Sequence, residues 1–408
     1  MTGEVVITHG VRTAIGRIGG SLRGVSDKEL GSLVVRELVG RSGLGPEEIG
    51  QVIMGHVRQS SDPSNVARVI ALMADIPETV PAYTVHRQCG SGLQAVMDAA
   101  QLIRCGETEA VVAGGTENMS QAVYFIRNAR HGLGTGDHPI EDSLVAGGPG
   151  SVPAEVYGQL PMGITAENLA ERYGISRDEQ DRFALESQVR AARAIAEGRF
   201  RQEIVPVPVV APDGSQVLFD TDEHPRMTTI EKLAALPPVF KKEGGVTAGN
   251  SSGRNDGAAA LLVMAAHKAE RFGMKPQARI LSAAASGCDP AVMGIGPVES
   301  TRIALARTGL TLGDMDVIEL NEAFAAQSLA VIREWARWGI DQEELLTRIN
   351  PNGGAIALGH PLGCTGAALT VKCLSELRRV EAYRYGLITM CCAGGLGVAM
   401  VIEKWRAE

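Results

Sequence analysis

Arg87-Gln-Cys-Gly-Ser-Gly-Leu-Gln-Ala-Val-Met-Asp-Ala-Ala-Gln-Leu-Ile-Arg-Cys-Gly-Glu-Thr-Glu-Ala-Val-Val-Ala-Gly-Gly115 is the stretch from which the fold is read. Leu93, Val96, Met97, Ala100 and Ile103 recur at helical spacing, Gly106 can end that helix, and Ala110-Val-Val-Ala-Gly-Gly then reads as a buried strand. Upstream, Glu4-Val-Val-Ile-Thr-His and Gln51-Val-Ile-Met-Gly read as strands on either side of a helical stretch from Glu29 to Val39. Strand and helix alternate, which predicts an α/β fold with mostly parallel sheets and ligands near the strand ends.

The same plan recurs in the C-terminal third. Ala367, Leu369, Val371 and Leu374 predict a helix entered through Gly363-Cys-Thr-Gly, and the strand Tyr385-Gly-Leu-Ile-Thr-Met follows it. Placing Ser91-Gly92 on Thr365-Gly366 brings Ala113-Gly-Gly near Ala393-Gly-Gly, and Val52-Ile-Met-Gly matches Val317-Ile-Glu-Leu. Two related halves are predicted, with catalytic groups from both able to meet. Between them, from about Ser120 to Gly245, Gly- and Pro-rich loops such as His131-Gly-Leu-Gly-Thr-Gly interrupt the plan and suggest an inserted domain. Within it, Ser176 and Glu179 are spaced as a capping box for a helix stopped by Gly198.

Composition narrows the chemistry. With 39 Lys plus Arg against 47 Asp plus Glu, the chain of 408 residues carries a formal charge of −8 and has no long basic run, so nucleic acid is not an expected partner. No apolar stretch is long enough for a membrane span, and the seven scattered cysteines suit free thiols in a cytoplasmic protein. A small anionic co-substrate remains compatible with the charge.

Cys89 precedes Gly90-Ser-Gly92 at a helix start, where unpaired N–H groups favour an anion and are expected to lower the thiol pKa. His360 lies in the Gly-rich loop Asn350-Pro-Asn-Gly-Gly-Ala-Ile-Ala-Leu-Gly-His-Pro-Leu-Gly and is the candidate base. Cys391 and Cys392 end a strand, so their side chains point to opposite faces and only one can face the site. Asn321 follows another strand within Glu319-Leu-Asn-Glu-Ala-Phe and offers an amide donor beside the carboxylate of Glu322. Taken singly, a buried structural cysteine or a solvated loop histidine is the commoner finding; the set and its glycines favour chemistry.

These motifs, with Val246-Thr-Ala-Gly-Asn-Ser-Ser-Gly, match the thiolase family in order and spacing, and the chain resembles a thiolase over essentially its whole length. The resemblance implies two similar βαβαβαββ halves in an α-β-α-β-α arrangement. Residues 1–119 with 246–273 would form the N-terminal half, 120–245 the inserted coenzyme A-binding loop domain, and 274–408 the C-terminal half. It implies that Cys89 is acylated, that His360 activates it, and that Cys391 is the acid/base at the acetyl carbon. One oxyanion hole would come from His360 with a water held by Asn321, the other from the N–H groups of Cys89 and residue 393. For coenzyme A the resemblance points to Arg226 near the nucleotide, Phe240, Ala248 and Ser252 along the pantetheine, and Met162, Met293 and Ala323 lining the tunnel. It also implies coenzyme A thioesters as substrates in fatty acid metabolism such as β-oxidation, no tightly bound cofactor or metal, and a homodimer or homotetramer. Two positions depart from the family pattern: Ala393 stands where Gly is usual, and Pro161 where short-chain biosynthetic thiolases tend to have His.

Three other readings are weighed. A decarboxylating ketosynthase would carry a second His or Asn where this chain has Cys391. A non-catalytic scaffold or lipid carrier would not need every reactive residue retained. A zinc site from Cys364, Cys391, Cys392 and His360 lacks the usual ligand spacing.

Overall fold

Residues 3–406 are described in a computed structural model; the outermost residues of the two expected halves, 1–2 and 407–408, lie outside them. The N-terminal half runs β1 (Val5–Thr13), α1 (Asp27–Ser42), β2 (Gln51–Gly55), α2 (Val66–Met73), β3 (Ala82–Val85), α3 (Ser91–Arg104) and β4 (Ala110–Asn118). A long excursion carrying α4 (Met162–Tyr173) and α5 (Arg177–Ala196) follows, and the chain returns as β5 (Asn255–Ala265). The C-terminal half runs β6 (Ala278–Gly287), α6 (Gly296–Ala306), β7 (Val317–Leu320), α7 (Ala325–Ala336), α8 (Leu362–Arg379), β8 (Tyr385–Cys392) and β9 (Leu396–Lys404).

The strands lie in the order β3-β2-β4-β5-β1 in one half and β7-β8-β9-β6 in the other. The halves join edge to edge where Val6 pairs with Arg279 and Ile7 with Ala278. The third strand of the C-terminal half is reduced to a single bridge between Ile318 and Ile349.

Period-two alternation sorts side chains into layers. Ile53, Val111, Ala113, Leu261 and Val263 of one half-sheet, with Ile388, Met390, Val398 and Met400 of the other, face a shared core with α3 and α8. Their neighbours Val52, Met54, Val112 and Leu262 turn outward onto α1 and α2, while Leu320, Leu387, Ala399 and Val401 turn outward onto α6 and α7. The result is five layers with α3 and α8 innermost. Helix α8 is buried on nearly every side, as a helix between two sheets must be. Each fully buried Leu or Val there contributes roughly 1.5–3 kcal/mol.

The expectation of mostly parallel sheets is corrected. β2 pairs in parallel with β3 and β4, and β7 with β8, but β1–β5, β5–β4, β6–β9 and β8–β9 are antiparallel. For β8 and β9 turn length is the reason: they are linked only through Ala393-Gly-Gly, too short for the crossover that parallel neighbours need, and β4–β5 is the matching pair of the other half. The repeat alignment is also corrected at one anchor. Gly55 pairs with Gly115 and Leu320 with Thr389, so Ala113-Gly-Gly corresponds to Leu387-Ile-Thr within β8, and Ala393-Gly-Gly is the turn beyond it. The long excursion occupies the corresponding place between β4 and β5. Its capping-box helix forms as read, with Ser176 and Glu179 bonded reciprocally and Gly198 at φ +67° just past its end.

Candidate active site

Two glycines decide where the site lies. A Cβ on Gly92 would fall 2.6 Å from the Gly363 carbonyl oxygen, and one on Gly366 would fall 2.2 Å from the Leu93 nitrogen. Only glycine lets α3 and α8 cross this closely at their N-termini. The segments just before those helices, with Cys89 and His360, are thereby brought to the joint between the halves.

The turn carrying Cys89 is wound tightly. Gln88 sits at φ +48°, a left-handed conformation unusual for a residue with a side chain, and is held there by Ser91. The Ser91 hydroxyl donates to the Gln88 carbonyl at 2.6 Å and accepts from the Arg87 N–H at 2.8 Å. The backbone N–H groups of Ala393 and of Cys89 itself point at the Cys89 sulfur. Burial nevertheless pushes the Cys89 thiol up, outweighing the Ala393 N–H and the positive charge of Arg58 that favour thiolate. The expected lowering at a helix start is corrected: Cys89 rests as a thiol and needs a base.

His360, in the segment before α8, is the candidate for that base. Its Nδ1 lies 2.7 Å from the Thr365 hydroxyl, which itself donates to the Pro361 carbonyl at 2.8 Å. The Thr365 oxygen therefore accepts from Nδ1–H, leaving Nε2 with its lone pair free to take a proton. Burial lowers the His360 pKa to about 4, so the ring is neutral at physiological pH. Its backbone is held by the other half: the His360 N–H donates to Asn255 Oδ1 at 2.9 Å, and the Gly363 N–H donates to Glu117 Oε2 at 2.8 Å.

Asn321 follows β7 and places Nδ2 3.5 Å from His360 Nε2. Glu322, beside it, is buried; it accepts from Ser187 at 2.7 Å and Asn350 at 2.8 Å and so braces the loop leading to His360. The two thiols at the end of β8 separate as their alternation requires. Cys391 faces Met293, Ala323, Phe324 and Leu169, with Met162 packed against that cluster. Cys392 turns into the central core, where a Cβ on Gly90 would lie 2.7 Å from its sulfur. Burial, then the nearness of Cys89, raise the Cys391 thiol well above its ordinary range.

The other residues expected around the ligand touch the Cys391 cluster or one another. Phe240 meets Phe324 edge-on with ring centroids 6.3 Å apart, the Ser252 N–H donates to the Ala323 carbonyl at 3.0 Å, and Arg226 Nη2 donates to the Ala248 carbonyl at 3.0 Å. Sequence reasoning did not single out Thr365, Asn255, Glu117 or Gln88. Thr365 and Gln88 stand inside quoted motifs; Asn255 and Glu117 are brought in by strand pairing, for which the sequence has no local signal. Ala393 has no positive φ, unlike Gly394 at +84° and Gly395 at +80°, so alanine presents its N–H as glycine would. Pro161 serves as the N-cap of α4.

Two thiols and one imidazole at the joint of two half-sheets define the acyltransferases built on the thiolase fold. The thiolase N-terminal domain matches residues 5–267 and the thiolase C-terminal domain residues 274–404, and the chain belongs to the thiolase family. It is 47% identical to an acetyl-CoA acetyltransferase of Syntrophomonas wolfei over 99% of this chain and 100% of the relative. It is 48% identical to beta-ketothiolase BktB of Cupriavidus necator, again over 99% and 100%. Among solved structures it superposes on the Bacillus anthracis acetyl-CoA acetyltransferase with a TM-score of 0.93 at 44% identity, covering 99% of both chains. Human mitochondrial 3-ketoacyl-CoA thiolase gives 0.92 at 42% identity, covering 99% of this chain and 100% of that one.

Proposed function

We propose that this thiolase moves acyl groups between 3-ketoacyl-CoA or acetyl-CoA and coenzyme A through an acyl group carried on Cys89. The observation that carries the reading is the convergence on one sulfur of the Cys89 and Ala393 N–H groups, with Cys391 adjacent and His360 in the segment just before the facing helix.

In thiolysis, His360 Nε2 takes the Cys89 proton as the sulfur attacks the 3-keto carbon. The N–H groups of Cys89 and Ala393, aimed at the sulfur, hold the oxyanion on the carbon bonded to it. The C–C bond then breaks, the protonated His360 and Asn321 stabilise the departing enolate, and Cys391 supplies the proton that converts it to acetyl-CoA. A second coenzyme A releases the acyl group; Claisen condensation is the reverse. Because His360 is neutral at rest and Cys89 protonated, charge separates only when a carbonyl arrives to accept it.

Arg226 is assigned to the nucleotide end, Phe240, Ala248 and Ser252 to the pantetheine, and Met162, Met293 and Ala323 to the tunnel in front of Cys391. No cofactor is tightly held; coenzyme A enters as co-substrate. The exposed Tyr124, Ile140, Val145 and Val156 of the excursion support a homodimer or homotetramer that covers them. No helix among the described residues is long and apolar enough to cross a membrane, in keeping with a cytoplasmic enzyme of acyl-CoA (fatty acid, β-oxidation) metabolism. Loss of the 3-keto absorbance of acetoacetyl-CoA on adding coenzyme A tests the reading. Turnover by Cys89→Ser at the wild-type rate would refute it.

A further inference from the structure

Arg58 takes no step in the chemistry above, but its positive charge reaches Cys89. It follows the end of β2, where a Cβ on Gly55 would lie 2.5 Å from the Gly92 nitrogen, so this strand end abuts the start of the Cys89 helix. The Arg58 backbone N–H is fixed on Glu117 Oε1 at 2.9 Å. Its side chain lies flat against the loop 147–151, close enough that a Cβ on Gly147 would fall 1.7 Å from Nη1. That loop roofs the site. A Cβ on Gly148 would fall 3.6 Å from Met162 Cγ, and one on Gly394, in the turn after Cys391, would fall 3.0 Å from the Ser151 carbonyl oxygen.

The guanidinium is half-buried, and its Nε is buried without a hydrogen-bond partner. Among the described residues no carboxylate lies within the 4.0 Å of an ion pair with it. A cation that cannot lose its proton is costly to keep in such a place unless an anion joins it. The phosphates of coenzyme A belong at the far end of the approach, by Arg226, so an anion reaching Arg58 beside Cys89 must be carried on the acyl group itself.

We propose that the acyl pocket accepts 3-ketoacyl-CoA esters whose acyl chain ends in a carboxylate, and that Arg58 is the residue that binds that carboxylate. This rests on the acyl-Cys89 reading and names its substrate class. Planar guanidinium and carboxylate match in a two-pronged hydrogen-bonded pair, which a terminal methyl group cannot form and would leave broken.

The test compares kcat/KM for thiolysis of matched six- and eight-carbon 3-ketoacyl-CoA pairs, one member ending in carboxylate and the other in methyl. Wild-type enzyme, Arg58→Leu and Arg58→Lys are assayed, with acetoacetyl-CoA cleavage as the reference for each. The expected result is a wild-type preference for the carboxylate member at one or both lengths of roughly 10- to 100-fold, from a charge-assisted pair. That ratio collapses in Arg58→Leu and is partly restored in Arg58→Lys. A wild-type preference for the methyl member at both lengths, or a ratio unchanged in Arg58→Leu, overturns the proposal while leaving thiolysis intact. Failure of the wild type to cleave acetoacetyl-CoA would instead remove the reading on which it rests.

Discussion

The two halves reach the joint with the same scaffold and opposite duties. One residue past Gly55 and Leu320, which hold matching places on β2 and β7, stand His56 and Asn321; two residues past Gly115 and Thr389 stand Glu117 and Cys391. In the C-terminal half these strand ends present an amide and a thiol to the substrate. In the N-terminal half they form a buried clamp: His56 Nε2 lies 3.0 Å from Asp27 and 3.5 Å from Glu117, and Glu117 accepts the N–H groups of Val57, Arg58 and Gly363. In the proposed mechanism one half supplies the proton-transfer groups, while its counterpart holds the segment that carries His360. The two halves end in equivalent mouths, and the carboxylate buried in one of them anchors the other.

The sharpest way to break this comparison is to remove the sulfurs. Cys89→Ala is expected to lower acetoacetyl-CoA thiolysis by on the order of 10⁴-fold or more, because no nucleophile remains. Cys391→Ala should lose about 10²- to 10⁴-fold, the usual worth of a positioned acid/base, with Cys89 intact. Equal, small losses in both would contradict the division of labour.

The next contrast is in stability. Glu117→Ala leaves three backbone N–H groups and His56 without their carboxylate and is expected to cost about 3–5 kcal/mol in urea unfolding. Cys391→Ala, its positional counterpart, removes a single sulfur and should cost about 1 kcal/mol. If the two cost the same, the clamp does not hold the fold.

The histidines should then separate by pH. The His360 pKa is depressed to about 4 by burial, so the unfolded chain takes up this proton first as pH falls. Its contribution is complete above about pH 6.5 and is lost between there and pH 4, to a total of about 3 kcal/mol. For His56, burial opposes the charged form, but the hydrogen bond to Asp27 and the charge of Glu117 outweigh it and raise the pKa. Its contribution is present below pH 6.5 and fades as pH rises through the raised value. Urea titrations should therefore show His360→Asn flattening the acid limb and His56→Gln flattening the other; the reverse pattern would contradict both environments. The smallest effect is expected at the departure from the family pattern. Ala393→Gly should leave kcat within about threefold, since the backbone N–H is what the site uses.

What was legible in the sequence follows the range of each interaction. The α3 face from Leu93 to Ile103, the Ser176 cap and the opposite facing of Cys391 and Cys392 depend on neighbours a few residues away, and each stands as read. Strand direction was misread because it depends on what links β4 to β5 and β8 to β9, which strand composition does not record. The Cys89 thiol was misread for a related reason. A helix start favours thiolate, but the burial that outweighs it comes from the other half of the molecule. Glu117 and Arg58 were not singled out at all, since nothing in Thr116-Glu-Asn or Val57-Arg-Gln marks them until the strand ends meet.

Peptide mass spectrometry after brief exposure to acetyl-CoA tests the shared site most directly. The account predicts one added acetyl group on the peptide containing Cys89, in the wild type and still detectable in Cys391→Ala, and none in Cys89→Ala. Acetyl on Cys391 or Cys288 with Cys89 unmodified would contradict it.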